Sequence, residues 1–356
     1  VNSVSAHSAA QTRGAVFGLA AAALFGVSAP LAKILLDGVG PVLLAGLLYL
    51  GAASGLLLYR AVRRPTKEAP LDRADAVRLG LVVLSGGIIG PVLMLLGLAR
   101  VSGLTGALLL NLEAPLTVLL AVVAFREHLS RQALFAAVLI FIGAGLLEVA
   151  PGSMGADTLG VLLLAGGALF WAIDNNLTQT LSIKDPFAIV TVKTLVAGLF
   201  NSAIGLFVVG DALPHWNFVL GALALGSLSY GLSVVLDAYA LRLVGAAREA
   251  AFFATAPVFG VLGALVLLGD ELRWLDATAL GLMGLGLVFL LRDRHDHAHT
   301  HEALEHEHLH VHDDHHQHDH DEGVAPDEPH SHRHRHVPLR HSHLHVSDAH
   351  HRHRHL

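Results

Sequence analysis

Polar side chains that could do chemistry stand inside otherwise apolar runs at a few places in the chain. Asn111-Leu112-Glu113-Ala114-Pro115 sets an amide and a carboxylate just before a proline, and Trp171-Ala172-Ile173-Asp174-Asn175-Asn176-Leu177-Thr178 sets three polar groups in a row. Lys193, Asp237 and the neighbours Arg248 and Glu249 are further ionisable groups in apolar surroundings. A carboxylate among apolar side chains can bind and release a coupling proton, and amides can orient a polar solute through hydrogen bonds. On this reading Glu113, Asp174, Lys193, Glu249, Asn111, Asn175 and Asn176 line a solute pathway, with Tyr230 and Tyr239 as added donors. Pro115 and Pro257 break their helices beside it. The plainer reading makes Asp174 and Lys193 a permanent ion pair and leaves Asp237, Arg248 and Glu249 among lipid headgroups. Lys33, Arg100 and Glu148 read as anchors at outer helix ends.

A different chemistry is written at the C-terminus, where 23 of the 26 His lie from His295 onward. His306, His308, His310 and His312 alternate with other residues, and His315, His316, His318 and His320 follow among acidic side chains. Imidazole suits Zn, Ni, Co and Cu, so transition-metal ions are expected on this tail, while the body requires no cofactor. The segment has almost no apolar clusters and is expected to be disordered. A metal reservoir or sensor, a pH-responsive polyelectrolyte and an extension with little role remain open uses. No apolar run contains a His in its interior, and His128 and His215 fall at run ends, which counts against a transition-metal path through the body.

These groups must be positioned by membrane helices. Hydrophobic residues make up 53% of the chain and charged residues only 15%, too few charges to coat a water-soluble domain of this size. Cys is absent, so disulfides and thiolate metal sites are excluded. The net charge of -6 decides little, because the tail His titrate near neutrality. Runs long enough to cross about 30 Å of hydrocarbon occupy 14–36, 40–60, 76–99, 103–125, 131–149, 157–181, 186–209, 216–241, 245–268 and 274–292. With residues 1–13 as a cytoplasmic N-terminus rather than a removable signal, Lys and Arg gather on one side and only Arg100 and Arg273 fall on the other. Both termini are therefore expected in the cytoplasm of a bacterial inner membrane protein.

The runs also repeat. Ala23-Leu24-Phe25-Gly26 is echoed by Ala168-Leu169-Phe170-Trp171, and Glu113-Ala114-Pro115-Leu116-Thr117-Val118 by Thr255-Ala256-Pro257-Val258-Phe259-Gly260. The offset is about 142 to 145 residues, or five spans, and an odd count inverts the second copy. The expected fold is an all-α membrane protein of ten transmembrane helices, two inverted five-helix repeats at 14–149 and 157–292, followed by the disordered His-rich tail, 295–356.

With these marks, and an acidic residue after each proline helix at Glu127 and at Asp270 or Glu271, the chain resembles the EamA-type branch of the drug/metabolite transporter superfamily. The resemblance implies proton- or gradient-coupled export of an amino acid, another metabolite or a drug by alternating access. Two other functions are open: a divalent transition-metal transporter served by the tail, and a membrane-embedded metal sensor that does not transport. No nucleotide-binding loop, nucleophile elbow or metal-hydrolase motif is present, so an enzyme is not expected. The expected partners are the lipid bilayer and a small solute, with no nucleic acid, and a homodimer is one assembly it allows.

Overall fold

The computed structural model describes residues 2–62, 70–125, 131–149, 157–181, 184–244, 249, 252–292, 295–301, 305–310, 330–335 and 339–345. Glu127, His128 and Arg248, together with His312, His315, His316, His318 and His320, lie outside them.

Apolar, Gly- and Ala-rich runs bounded by Pro and Gly form helices throughout the body. In order these are α1 (Asn2–Gly26), α2 (Ser28–Leu35), α3 (Pro41–Val62), α4 (Ala76–Val82), α5 (Gly90–Leu98), α6 (Gly103–Leu109) and α7 (Glu113–Phe125). There follow α8 (Arg131–Val149), α9 (Thr158–Gln179), α10 (Pro186–Ala203), α11 (Trp216–Gly226), α12 (Ser233–Val244), α13 (Ala256–Gly263) and α14 (Trp274–Leu291). Among the described residues, seven continuous stretches are long and apolar enough to cross a membrane. Three shorter apolar helices, Leu134–Leu146, Ala256–Leu268 and Trp274–Phe289, stand where the fifth, ninth and tenth spans were expected. The 18 residues of α14 rise about 27 Å, just short of the hydrocarbon core. The N-terminal residues expected to lie outside the first span are helical, because α1 begins at Asn2.

Several rods are not straight. The first breaks at Val27, between α1 and α2. Residues 110–112 tighten into a 3-10 turn between α6 and α7, and a turn at 254–255 precedes α13. Wider π turns at Val83–Ile89 and Ser227–Leu232 join α4 to α5 and α11 to α12, at places related by the repeat offset.

The packing follows the same symmetry. Helix α3 lies on α10, and α8 on α14. The contact of α5 with α9 has its counterpart in α1 with α12, and that of α7 with α9 in α1 with α13. Exchanging the two halves therefore maps each of these contacts onto itself or onto another. The main core runs through the bundle, with Leu44, Leu95, Leu98, Leu108 and Leu109 fully buried, and two smaller clusters lie around Leu56 and around Val82. Around it Val62, Phe207 and Val266 are each at least 77% exposed, a surface suited to lipid rather than water.

Polar ties close the helix ends. The anchor expected at Lys33 is a specific one: its Nζ donates to Leu98 O at 2.7 Å and Ala99 O at 3.1 Å, placing a cation at the C-terminal end of α5. Arg100 pairs with Asp157 at 2.8 Å, and Asp270 accepts from Leu104 N at 2.8 Å in the first turn of α6. Between spans, Lys184 meets Asp72 at 3.0 Å and Asp75 at 3.1 Å. Burial would lower the Lys184 pKa, but its bonds to Asp72 and Asp75 outweigh that and raise it. The same contact is the main cause holding the Asp72 carboxyl below its ordinary value.

The tail departs from expectation. It contains β1 (His295–His301), β2 (Glu305–His310), β3 (His330–Arg335) and β4 (Leu339–His345), with β1 antiparallel to β4 and β2 to β3. These strands stand within the segment that the sequence reading expected to be disordered. A segment without a core can still satisfy its backbone by strand pairing, and strict alternation of residue type suits a two-residue period.

Candidate functional site

The three breaks in the bundle meet at one cavity. The end of α1 brings Phe25 and Gly26, the α6–α7 turn brings Leu110, Asn111 and Glu113, and the segment leading into α13 brings Phe253, Ala254 and Pro257. Asn175 of α9, Thr117 of α7 and Leu287 of α14 complete the wall, around about 370 Å³. Unwound backbone is tolerated at membrane depth where it lines such a space, which gives the broken helices a physical reason. Pro115 and Pro257 sit within the first turns of α7 and α13, where a missing N–H leaves no gap in the helix. Both prolines thus start helices after a break, and Pro257 itself lines the cavity.

Glu113 is the charged residue among the described lining residues. Asn175 Nδ2 donates to its Oε1 at 2.7 Å and lies 3.5 Å from Thr117 Oγ1. Thr117 Oγ1 donates to Glu113 O at 2.8 Å, and Asn111 Nδ2 donates to Leu108 O at 3.0 Å. Asn176 is turned away, donating to Thr117 O at 3.1 Å and Ala172 O at 2.9 Å, so it binds α7 to α9 rather than facing the cavity. The aromatic wall is a pair, Phe25 and Phe253, with ring centroids 5.3 Å apart. Close approach of α1 to α13 depends on Gly26, where an added Cβ would come within 2.1 Å of Ala256 O.

One residue before Asn175, Asp174 faces another neighbour. Its Oδ2 lies 2.7 Å from Lys193 Nζ on α10, and Asp174 is only 5% exposed. Gly86 packs against it so tightly that a Cβ there would meet Asp174 Cγ at 2.1 Å. Tyr49 donates its hydroxyl proton to Gly86 O at 2.7 Å. The structure brings Asp174 and Lys193 together and leaves both out of the cavity lining. Glu249 is also absent from the lining and instead shares a hydrogen bond with Asp237. Tyr230 bonds Ser28 and Tyr239 bonds Tyr59, and neither is among the cavity-lining residues.

Of the residues named from sequence, Glu113, Asn111 and Asn175 stand on the cavity wall, together with Phe25, Phe253 and Thr117, which sequence reasoning did not single out. The signal for Phe25 was present in the repeated Ala23-Leu24-Phe25-Gly26 string, beside a break that composition does not announce.

Comparison with known proteins agrees with this architecture. A model of the EamA-like transporter family matches residues 12–149 and again 158–292. An uncharacterized transporter of Methanothermobacter thermautotrophicus is 30% identical over 290 residues, covering 77% of this chain and 84% of that protein. The threonine/homoserine exporter RhtA of Escherichia coli K12 is 28% identical over 125 residues, 35% of this chain and 42% of the exporter, so this likeness spans less than half of that protein. One chain of known crystal structure shares the fold with a TM-score of 0.58 at 19% identity, over 78% of this chain and 98% of that one. A family model that fits each half of the bundle once, and so accounts for both sides of the cavity, makes this chain a member of the EamA-like transporter family of the drug/metabolite transporter superfamily, a multi-pass membrane transporter.

Proposed function

We propose that the chain is a secondary-active exporter of a small amine-bearing metabolite, an amino acid or a related compound, moved by alternating access through the Glu113 cavity. The carrying observation is that Glu113, bonded to Asn175, faces a cavity formed where three helices break. The charge of Glu113 suits an ammonium group or a coupling proton, Asn111 and Asn175 suit a polar solute, and the Phe25–Phe253 wall suits an apolar portion or a cation over a ring face. The named cargo of the RhtA exporter, threonine and homoserine, favours this solute class. Ten spans arranged as inverted repeats, both termini in the cytoplasm and a bacterial inner membrane complete the proposal. Seven long and three shorter apolar helices support the count, and the Lys and Arg distribution supports the orientation. The divalent-metal carrier is less well supported, since the described cavity wall offers a single carboxylate and no His.

The test is flux in vesicles containing purified protein, with amino acids and small amines as solutes, comparing wild type with Glu113→Gln. A solute moved by the wild type and lost in the variant supports the reading. Full transport by Glu113→Gln of every solute the wild type moves would overturn it.

A further inference from the structure

The three broken rods that make the cavity also close one end of it. On the side of the breaks that carries Lys33, Arg100 and Asp270, the half-helices α2, α6 and α13 lie together, and each packs on the other two. The cavity wall stops at their inner ends, at Gly26, Ala107 and Gly260. A Cβ on Gly260 would stand 2.9 Å from Ala107 Cβ and 3.0 Å from Gly26 O, and one on Gly263 would stand 2.8 Å from Pro30 Cγ. Contacts this close leave no passage for a solute. Further along the same seam Leu268 packs on Gly103, and Ala29, Ala32, Leu104, Val261 and Ala264 are all buried. From Gly26 to Lys33 the closed layer is about 10 Å thick. The cavity extends the other way, through Thr117, Val118 and Leu287, the last of these about one turn from the end of α14.

Two charged ties cross the outer edge of this layer. Lys33 of α2 donates to Leu98 O at 2.7 Å and Ala99 O at 3.1 Å, at the end of α5. Asp270, just beyond the turns that continue α13, accepts from Leu104 N of α6 at 2.8 Å. Asp37 and Asp270 add attraction to the Lys33 ammonium group. Glycine and alanine faces let helices meet closely but interlock little. Charge-assisted bonds to backbone groups are directional and hold only while the helix ends stay in place.

We propose that α2, α6 and α13 are the closed gate of the transport path and that Lys33 and Asp270 are its latch, released when the cavity opens to the Lys33 end. The proposal rests on alternating access through the Glu113 cavity, which requires one end to be shut while the other is open. With both termini in the cytoplasm the gated end faces away from it, so this structure is the state that loads solute from the cytoplasm.

Ala264→Cys supplies a reporter in the seam, since Ala264 is fully buried and lies beside Gly103. Purified full-length protein in vesicles, without solute, is labelled from the Lys33 end with a membrane-impermeant thiol reagent. Labelling should be slow with the latch intact and about tenfold faster with Lys33→Met and Asp270→Ala together. Lys184→Met removes a tie at the other end of the bundle and should leave the slow rate unchanged, which separates release of the gate from general loosening. Equal labelling with and without the latch, or the same acceleration by Lys184→Met, would overturn the proposal. In a second measurement Gly103→Cys and Leu268→Cys are joined by oxidation to hold the gate shut. Flux of a transported solute should fall about tenfold and return on reduction, and undiminished flux through the oxidised protein would also overturn the proposal. The labelling needs no solute, so it decides the gate separately from the flux assay that decides transport.

Discussion

Asp174 and Asn175 are neighbours on α9 and serve two different environments. Asp174 is closed in by Lys193 and by the backbone of Gly86. Asn175, about 100° further round the helix, reaches Glu113 at the wall of a cavity. Both regions hold a carboxylate at membrane depth, so expense alone does not mark a solute path. What separates them is whether the charge is already matched. The Asp174 carboxylate is buried with a cation at 2.7 Å, while Glu113, among the described residues, has an amide partner and adjoining space.

Lys193→Met should break the closed region hardest. It leaves Asp174 buried without its cation, and a loss of about 3–5 kcal/mol in unfolding free energy is expected. Adding Asp174→Asn should recover most of that loss, measured as thermal stability in detergent. A double variant no more stable than Lys193→Met would show that the pair contributes something other than charge matching.

Glu113→Gln is the opposite case. Removing a charged hydrogen-bonding partner of the solute should lower transport by about 10- to 100-fold, while the Gln side chain keeps an acceptor for Asn175 and the melting temperature stays within about 2 °C of wild type. If stability fell as far as in Lys193→Met, Glu113 would belong with the structural pair.

Gly86→Ala sharpens the contrast from the side of packing. The added methyl group would meet Asp174 Cγ at 2.1 Å, so a loss of about 1–3 kcal/mol is expected in the same unfolding assay.

The smallest effect is expected outside the spans, at Asp72. Asp72→Asn keeps an acceptor for the turn it caps and removes the charge facing Lys184. The Asp72 carboxyl is held below its ordinary value, so its contribution is present above the unfolded-state pKa and fades as pH falls through the folded one. Lys184 is held above its ordinary value and contributes until pH rises through that raised value. At neutral pH the variant should melt slightly below wild type, and the difference should vanish in acid.

The sequence was informative where local patterns decide structure. Long apolar runs, the Glu113–Pro115 string and its echo at Ala256–Pro257 place the helices and the breaks, because proline and hydrophobic length act within a few residues. The direction each polar group faces was less legible. Asp174, Asn175 and Asn176 are consecutive, and only packing against α7 and α10 separates ion pair, cavity wall and helix tie. Gly86 carried no sequence signal for its role, since contact with Asp174 arises between helices distant in the chain. In the tail, alternation was visible, but the pairing of β2 with β3 is a long-range choice that composition does not make.

The absence of Cys offers a direct measurement of the central claim, that the Glu113 cavity is a path opening to water. Ala114→Cys places one thiol on the cavity wall, and Ala168→Cys places one in the core at a position with 0% exposure. Membrane-impermeant thiol reagents are applied to vesicles of each orientation. The account predicts labelling of Ala114→Cys, changed by a transported solute, and none of Ala168→Cys. An Ala114→Cys thiol that stays unlabelled from both sides, in protein that still transports, would contradict it.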